Sequence, residues 1–183
     1  KIAGYDTLRL ILAKRAILVE GPSDELVVQK AYAVKNGGRL PIQDGIDVIS
    51  VGSSFLRFLE LADKLRQVVA VVTDNDGDVE ALRKKYDNYL GVNAKPHIKI
   101  CYDSTVDAGQ LFTGRRPFNY NTLEPKLLKE NSLDLMNEIF GTQHATVDEM
   151  HIFMRANKTD CALKIFSSLT DITFPDYVVQ AVS

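Results

Sequence analysis

The sequence predicts an α/β fold, a four-stranded parallel sheet flanked by helices with a helical C-terminal extension. Two observations carry it. Four runs of strand length, 16–19, 47–51, 68–73 and 98–102, are almost continuously apolar or β-branched, as strands buried on both faces must be. Helical patterns separate them and the joints are short, which implies right-handed crossovers between parallel strands.

Taken in order, residues 5–14 read as a helix with Leu8, Ile11 and Leu12 on one face. The strand Ala16–Val19 runs into Glu20-Gly21, and Pro22-Ser23-Asp24-Glu25 starts a helix: an early proline, a hydroxyl cap and first-turn acids. That helix extends to about Val34, where Asn36-Gly37-Gly38 ends it. Strand Asp47–Val51 leads through Gly52-Ser53-Ser54 into a helix over 55–65. The third strand, 68–73, is followed by a Lys/Arg-rich helix to about Leu90, and Ile98–Tyr102 is the fourth. Past residue 103 the pattern changes: 103–121 is polar and glycine-rich without period, then helices are expected near 122–130, 132–140, 147–155 and 159–169. The organisation read from this is a lead-in helix (1–15), a catalytic core (16–102) and a helical extension (103–183) that completes the site.

A chain of 183 residues buries one substantial core. Its net charge of −2 does not mark a nucleic-acid binder, but acids clustered in a site can mask a local basic patch such as Arg115-Arg116 or Lys84-Lys85. Cys101 and Cys161 read as buried thiols rather than a disulfide. No apolar run approaches the roughly 18 residues that cross a bilayer, and no signal-peptide pattern opens the chain. Beginning at Lys1 without an initiator Met, it reads as a piece of a longer cytoplasmic protein.

The chemistry concentrates where strands end. Val68–Thr73 runs into Asp74-Asn75-Asp76-Gly77-Asp78, so Asp74 and Asp76 stand at the carboxyl edge of the sheet, where α/β folds bind ligands. Adjacent like charges there must stay solvated, share a proton or hold a cation. Oxygen donors on a rigid edge suit Mg²⁺ or Mn²⁺. The first strand brings Glu20 to that edge, with Asp24 one helical turn on. The second brings Gly52-Ser53 at a helix N-terminus, where backbone N–H groups can receive a phosphate. Together the carboxylates can support two cations about 3.5–4 Å apart. Taken singly, each has an ordinary explanation: Glu20-Gly21 a turn, Asp24 a partner of the helix dipole, Ser53 a cap, Asp78 either a further ligand or a helix-terminal acid.

Val19-Glu20-Gly21 with the later Asp74-Asn75-Asp76 resembles the Toprim hallmark, shared by topoisomerases, bacterial primases and nucleases. Ile17–Glu25 and Val51-Gly52-Ser53-Ser54-Phe55 resemble the first two motifs of the OLD (overcoming lysogenization defect) nucleases. The resemblance covers 16–102 and extends loosely into the tail. It implies a Toprim, Rossmann-like domain that cuts DNA, as a metal-dependent endonuclease using metal-activated water. Carried over by motif, Glu20, Asp24, Asp74 and Asp76 are metal ligands, Glu124 a further one from the tail, and Lys158 a catalytic cation that offsets charge on the scissile phosphate. Two ions, Mg²⁺ or Mn²⁺, are implied, and Ca²⁺ can also bind. The family carries an N-terminal ABC-type ATPase, which is its dimerising part, so this fragment is expected as a monomer. No GxxxxGK[ST] motif occurs here. Some relatives work beside a UvrD-like helicase in phage defence. Topoisomerases use a tyrosine from another domain, and none of the tyrosines here is marked for that role.

Two rivals stay open. A haloacid-dehalogenase-type phosphatase also runs a strand into Asp-x-Asp-Gly with the first Asp as nucleophile, but that motif usually opens the domain, and Glu20 and Asp24 are left unexplained. A cation-stabilised interaction module needs no catalysis. A calcium-binding EF-hand loop is excluded, because Val79 and Lys85 stand where it needs Gly and Glu.

Overall fold

The computed structural model describes residues 4–183; residues 1–3 of the expected lead-in segment lie outside the described residues. Its centre is a sheet of β1 (Arg15–Val19), β2 (Ile46–Ser50), β3 (Val68–Val72) and β4 (Ile98–Cys101) in the order β2-β1-β3-β4. All three pairings are parallel, with Leu18 opposite both Ile49 and Val71. β3 is a continuous apolar run and β1 is one after Arg15, because both faces are covered there. Ile17, Val19, Val48, Ala70, Val72 and Cys101 join one core cluster, while Ala16, Leu18, Ile49, Val69 and Val71 join the other.

The second cluster is closed by α1 (Gly4–Leu12), α3 (Phe55–Leu65) and α4 (Val79–Lys85), through Leu10, Phe58, Leu59 and Leu82. On the opposite face lie α2 (Pro22–Lys35), α5 (Leu123–Glu130), α6 (Leu133–Phe140), α7 (Val147–Ala156), α8 (Lys158–Ser167) and α9 (Asp176–Ala181). Leu127, Met136, Met150, Ile165 and Val178 from these C-terminal helices share one cluster with Ile17 and Val72. The region beyond residue 103 is therefore continuous with the core of the sheet.

Arg9 ties α1 to the sheet edge: Nε and Nη2 donate to Asp47 at 3.0 and 2.7 Å, and Nη2 also donates to the Val48 carbonyl at 2.7 Å. Both cysteines are free and buried, as expected from their apolar settings. Among the described residues no helix is long and apolar enough to cross a membrane.

Expected and observed elements agree within a residue or two at most ends. Three differences have physical causes. The helix after β3 stops at Lys85, not near Leu90; Asp87, Asn88 and Gly91 disfavour α-helix, and two short 3₁₀ turns (Asp87–Tyr89, Gly91–Asn93) follow. Helix α9 is absent from the sequence reading because six residues hold no repeating period; it forms by burying Tyr177, Val178 and Ala181. Within 103–121, a small antiparallel hairpin, β5 (Phe112–Thr113) and β6 (Arg116–Pro117), stands where only loop was expected.

Candidate metal centre

The carboxyl ends of β1 and β3 are neighbours. Since Leu18 pairs with Val71, Glu20 comes level with Thr73 and adjoins Asp74. Glu20, Asp74, Asp76 and Asp78 line one cleft of about 210 Å³ with Thr73, Asn75 and Tyr86. The Glu20 carbonyl accepts the Gly52 N–H at 2.9 Å, which joins the first and second strand ends through backbone. Gly52 has a left-handed backbone (φ 55°), and its N–H is committed to this bond.

Asp24 is mostly buried at the third position of α2. Its Oδ2 accepts the Gly21 N–H at 2.8 Å, so this acid, and not the Ser23 hydroxyl, satisfies the helix start. Burial nevertheless raises its pKa from 3.8 to about 6, with Glu124 and Glu20 adding repulsion while the Gly21 N–H and Lys158 oppose it. Asp74 lies deeper in the site. Its Oδ2 accepts the Leu123 N–H at 3.2 Å and its Oδ1 accepts the Tyr177 hydroxyl at 3.2 Å. Burial, then the charges of Asp24, Glu124 and Asp76, hold its pKa well above 3.8.

Asp76 is exposed, on a left-handed backbone (φ 50°), and Asn119 donates to its Oδ1 at 3.1 Å. The buried Glu124, on the first turn of α5, is held by Lys158 at 2.9 and 3.0 Å and by the Thr122 hydroxyl at 3.2 Å. Lys158 begins α8 and is half exposed; its ammonium feels Asp74 and Asp24 as well as Glu124. Asp24, Asp74 and Glu124 thus share one field with Lys158, and Glu20 and Asp76 join it through Asp24 and Asp74, although the residues come from the ends of β1 and β3, from α2 and from two C-terminal helices. Asp78 lines the same cleft and also serves the helix after it, since its Oδ1 accepts the Ala81 N–H at 2.8 Å and caps α4. Ser53 is exposed just ahead of α3, and Ser54 occupies that helix's N-terminal cap position.

Several residues that shape this site carry no signal in the sequence. Asn75, the central residue of Asp-x-Asp, is buried and works as a pin. Its Nδ2 donates to the carbonyls of Asp103 and Thr105 at 2.8 and 2.7 Å, and its Oδ1 accepts the Gly77 N–H at 2.9 Å. Lys126, almost fully buried, pairs with Asp103 at 2.6 Å and with Asp107. Asn121 exchanges two hydrogen bonds with the Asp107 backbone. Segment 103–121 is therefore an ordered belt against the carboxylates. Tyr177, 103 residues from Asp74, donates to it; burial and Asp74 raise the phenol's pKa well above 10, so it stays protonated and is a poor nucleophile. Tyr86 is wholly buried beside Glu20, its hydroxyl lacking an aligned hydrogen-bond partner.

The donor chemistry is all-oxygen and electron-rich, with Lys158 the one ammonium bonded into it, which is the deficit a hard divalent cation corrects. Among the described residues, no three His, Cys, Asp or Glu side chains converge tightly enough to enclose an ion. Three of the carboxylates are engaged by donors of the chain itself, Asp24 by Gly21, Asp74 by Leu123 and Tyr177, and Glu124 by Lys158.

Residues 11–76 match the family model described as overcoming lysogenization defect protein-like, TOPRIM domain. Among solved structures, the C-terminal region of the Xanthomonas campestris pv. campestris OLD protein superposes with a TM-score of 0.60 at 18% identity, over 95% of this chain and 92% of that one. The C-terminal region of the Burkholderia pseudomallei OLD protein gives a TM-score of 0.60 at 19% identity, over 93% and 95% respectively. At such identity these likenesses speak for the fold. No curated protein sequence matches the chain.

Proposed function

We propose that this chain, which through residues 11–76 belongs to the OLD-like TOPRIM domain family, is a metal-dependent DNA endonuclease that hydrolyses phosphodiester bonds. The TOPRIM fold is a metal-binding fold of the nuclease and primase type. The observation that carries the finer reading is a set of electrostatically coupled carboxylates at the carboxyl edge of the sheet: Asp24, Asp74 and Glu124 act on one another and on Lys158, with Glu20 beside Asp24 and Asp76 beside Asp74.

Glu20, Asp24, Asp74, Asp76 and Glu124 are the residues that would hold Mg²⁺ or Mn²⁺. When bound, two such ions supply an activated water and neutralise the leaving oxygen. The chain's own contribution is positional. Asn75 and the Leu123 N–H fix Asp74 at the end of β3, and Tyr177 fixes its second oxygen. Lys158, on the solvent side of Glu124, offers a positive charge to a phosphate as negative charge builds on it. Water is the nucleophile in this reading, and Tyr177 serves Asp74 as a hydrogen-bond donor. In this scheme the domain is the catalytic part of a protein with an N-terminal ATPase region.

The test is conversion of supercoiled plasmid to nicked and linear forms with Mg²⁺, Mn²⁺ or EDTA, for the wild type and Asp74→Asn. Metal-dependent cutting is expected from the wild type and none from the variant, with both folded by circular dichroism. A folded wild type that leaves plasmid intact in every metal, yet hydrolyses a small phosphomonoester, would overturn the nuclease in favour of a phosphatase.

A further inference from the structure

A second cleft, of about 280 Å³, lies between the β5–β6 hairpin and the first turns of α5 and α8. Its walls combine Phe118 and neighbouring prolines with three cations, Arg116, Arg155 and Lys158, and it ends at Glu124. Lys158 and Glu124 belong equally to the carboxylate site, so whatever fills the cleft is continuous with the reacting centre. Asn119 lines the same cleft while donating to Asp76 at 3.1 Å.

Lys158 is paired with Glu124, but the two arginines are not spent on internal ion pairs. The Arg116 side chain is exposed and makes no hydrogen bond or ion pair among the described residues, and Arg115 beside it is likewise exposed. Arg155 is exposed, donates to the Thr113 hydroxyl and lies 6.0 Å from the Phe118 ring centroid. A neutral donor leaves its charge uncompensated. Elsewhere buried cations are paired, as Lys126 is with Asp103 and Asp107. An overall charge of −2 makes a cationic rim next to five carboxylates the more pointed.

We infer that this cleft seats the nucleotide flanking the scissile phosphate of a DNA strand. Arg116 and Arg155 contact its phosphates, and the Phe118 side supplies an apolar wall for its sugar and base. The inference rests on the nuclease reading and deepens it. Phosphate contacts from arginine suit a rim of guanidinium groups. An apolar wall beside a cationic rim is the usual build of single-strand tracks. A space of about 280 Å³ is of single-nucleotide size.

The experiment is fluorescence anisotropy of a labelled single-stranded DNA oligonucleotide in EDTA, titrated with the chain from 50 to 200 mM KCl. Arg116→Ala, Arg155→Ala and the double variant are compared with Lys64→Ala, which removes the same charge from the far end of α3. Each arginine variant is expected to lower the slope of log K against log salt by about 0.7, and the double variant by about 1.4, since each phosphate contact releases its counterion. Lys64→Ala should leave the slope unchanged. Arg116 holds nothing else in place, so its loss cannot be ascribed to misfolding. Unchanged slopes for both arginines, an equal drop in Lys64→Ala, or no binding by the wild type would each overturn the inference. Plasmid nicking separates it from the nuclease reading. Arginine-dependent slopes without metal-dependent nicking would sink the nuclease and leave the cleft; nicking with unchanged slopes would do the reverse.

Discussion

Replacing Asp24 by Asn tests whether its buried, acid-lined setting penalises an ionised carboxylate in the folded protein. In the metal-free protein Asp24 has a pKa near 6 in place of 3.8, mainly through burial and the neighbouring Glu124 and Glu20. At about 1.4 kcal/mol per pK unit, its ionisation costs the folded state about 3 kcal/mol at neutral pH. The sign follows from the raised value. Stability linked to its proton is fully present below pH 3.8 and is lost as pH rises through 6. Asn is the same size, keeps an oxygen for the Gly21 N–H and carries no charge. Asp24→Asn should therefore stabilise the protein at pH 7.5 in EDTA by about 1–3 kcal/mol, which for a chain of this length is roughly 3–10 °C in Tm. The gain should vanish near pH 3.5, while metal-dependent cleavage is lost. Differential scanning calorimetry and urea unfolding at both pH values measure it. If the variant melts at or below the wild type at pH 7.5, or gains equally at pH 3.5, then ionised Asp24 is not penalised in the folded site by burial and its neighbouring acids.

Further substitutions divide the site by role. Lys158→Ala should lower plasmid cleavage by about 10²–10³ with the fold retained, as expected for a group that meets charge only in the transition state; near-wild-type cutting would return Lys158 to an ordinary partner of Glu124. Asp78→Ala should cost about 1 kcal/mol in urea unfolding, the loss of a helix cap, and leave cleavage in place. Abolished cleavage in that variant would put Asp78 among the metal ligands. Asn75→Ala removes three hydrogen bonds and leaves the Asp103 and Thr105 carbonyls short of a donor, so about 3 kcal/mol of stability should go. Faster hydrogen exchange in 103–121 should accompany it, and unaltered exchange there would show that Asn75 is not what holds the belt.

Much of the fold was legible because its signals are local. A strand buried on both faces has to be almost wholly apolar, so 16–19 and 68–73 announce themselves. Their alternation with helices fixes a parallel sheet. Glu20 and Asp74 were readable as convergent for the same reason: parallel strands all end on one edge. The hairpin, α9 and the belt over 103–121 were not readable. Two-residue strands and a six-residue helix are too short to show a period, and a belt held by Lys126 and Asn121 owes its order to distant acids and carbonyls.

The sequence by itself determined which groups reach the sheet edge: the Glu-Gly after the first strand and the Asp-x-Asp after the third, each delivered by its own strand. Only the tertiary structure decided what those groups meet there. It set Glu124 against Lys158 from two separate helices, turned Asn75 inward as a pin, and made Asp78 a cap although it continues the same alternating acids. It also turned Tyr177 to Asp74 across 103 residues and gathered Arg116 and Arg155 beside Lys158. Such contacts depend on the angle at which helices pack on a sheet, and that angle is set by the whole core at once, not by any short stretch of chain.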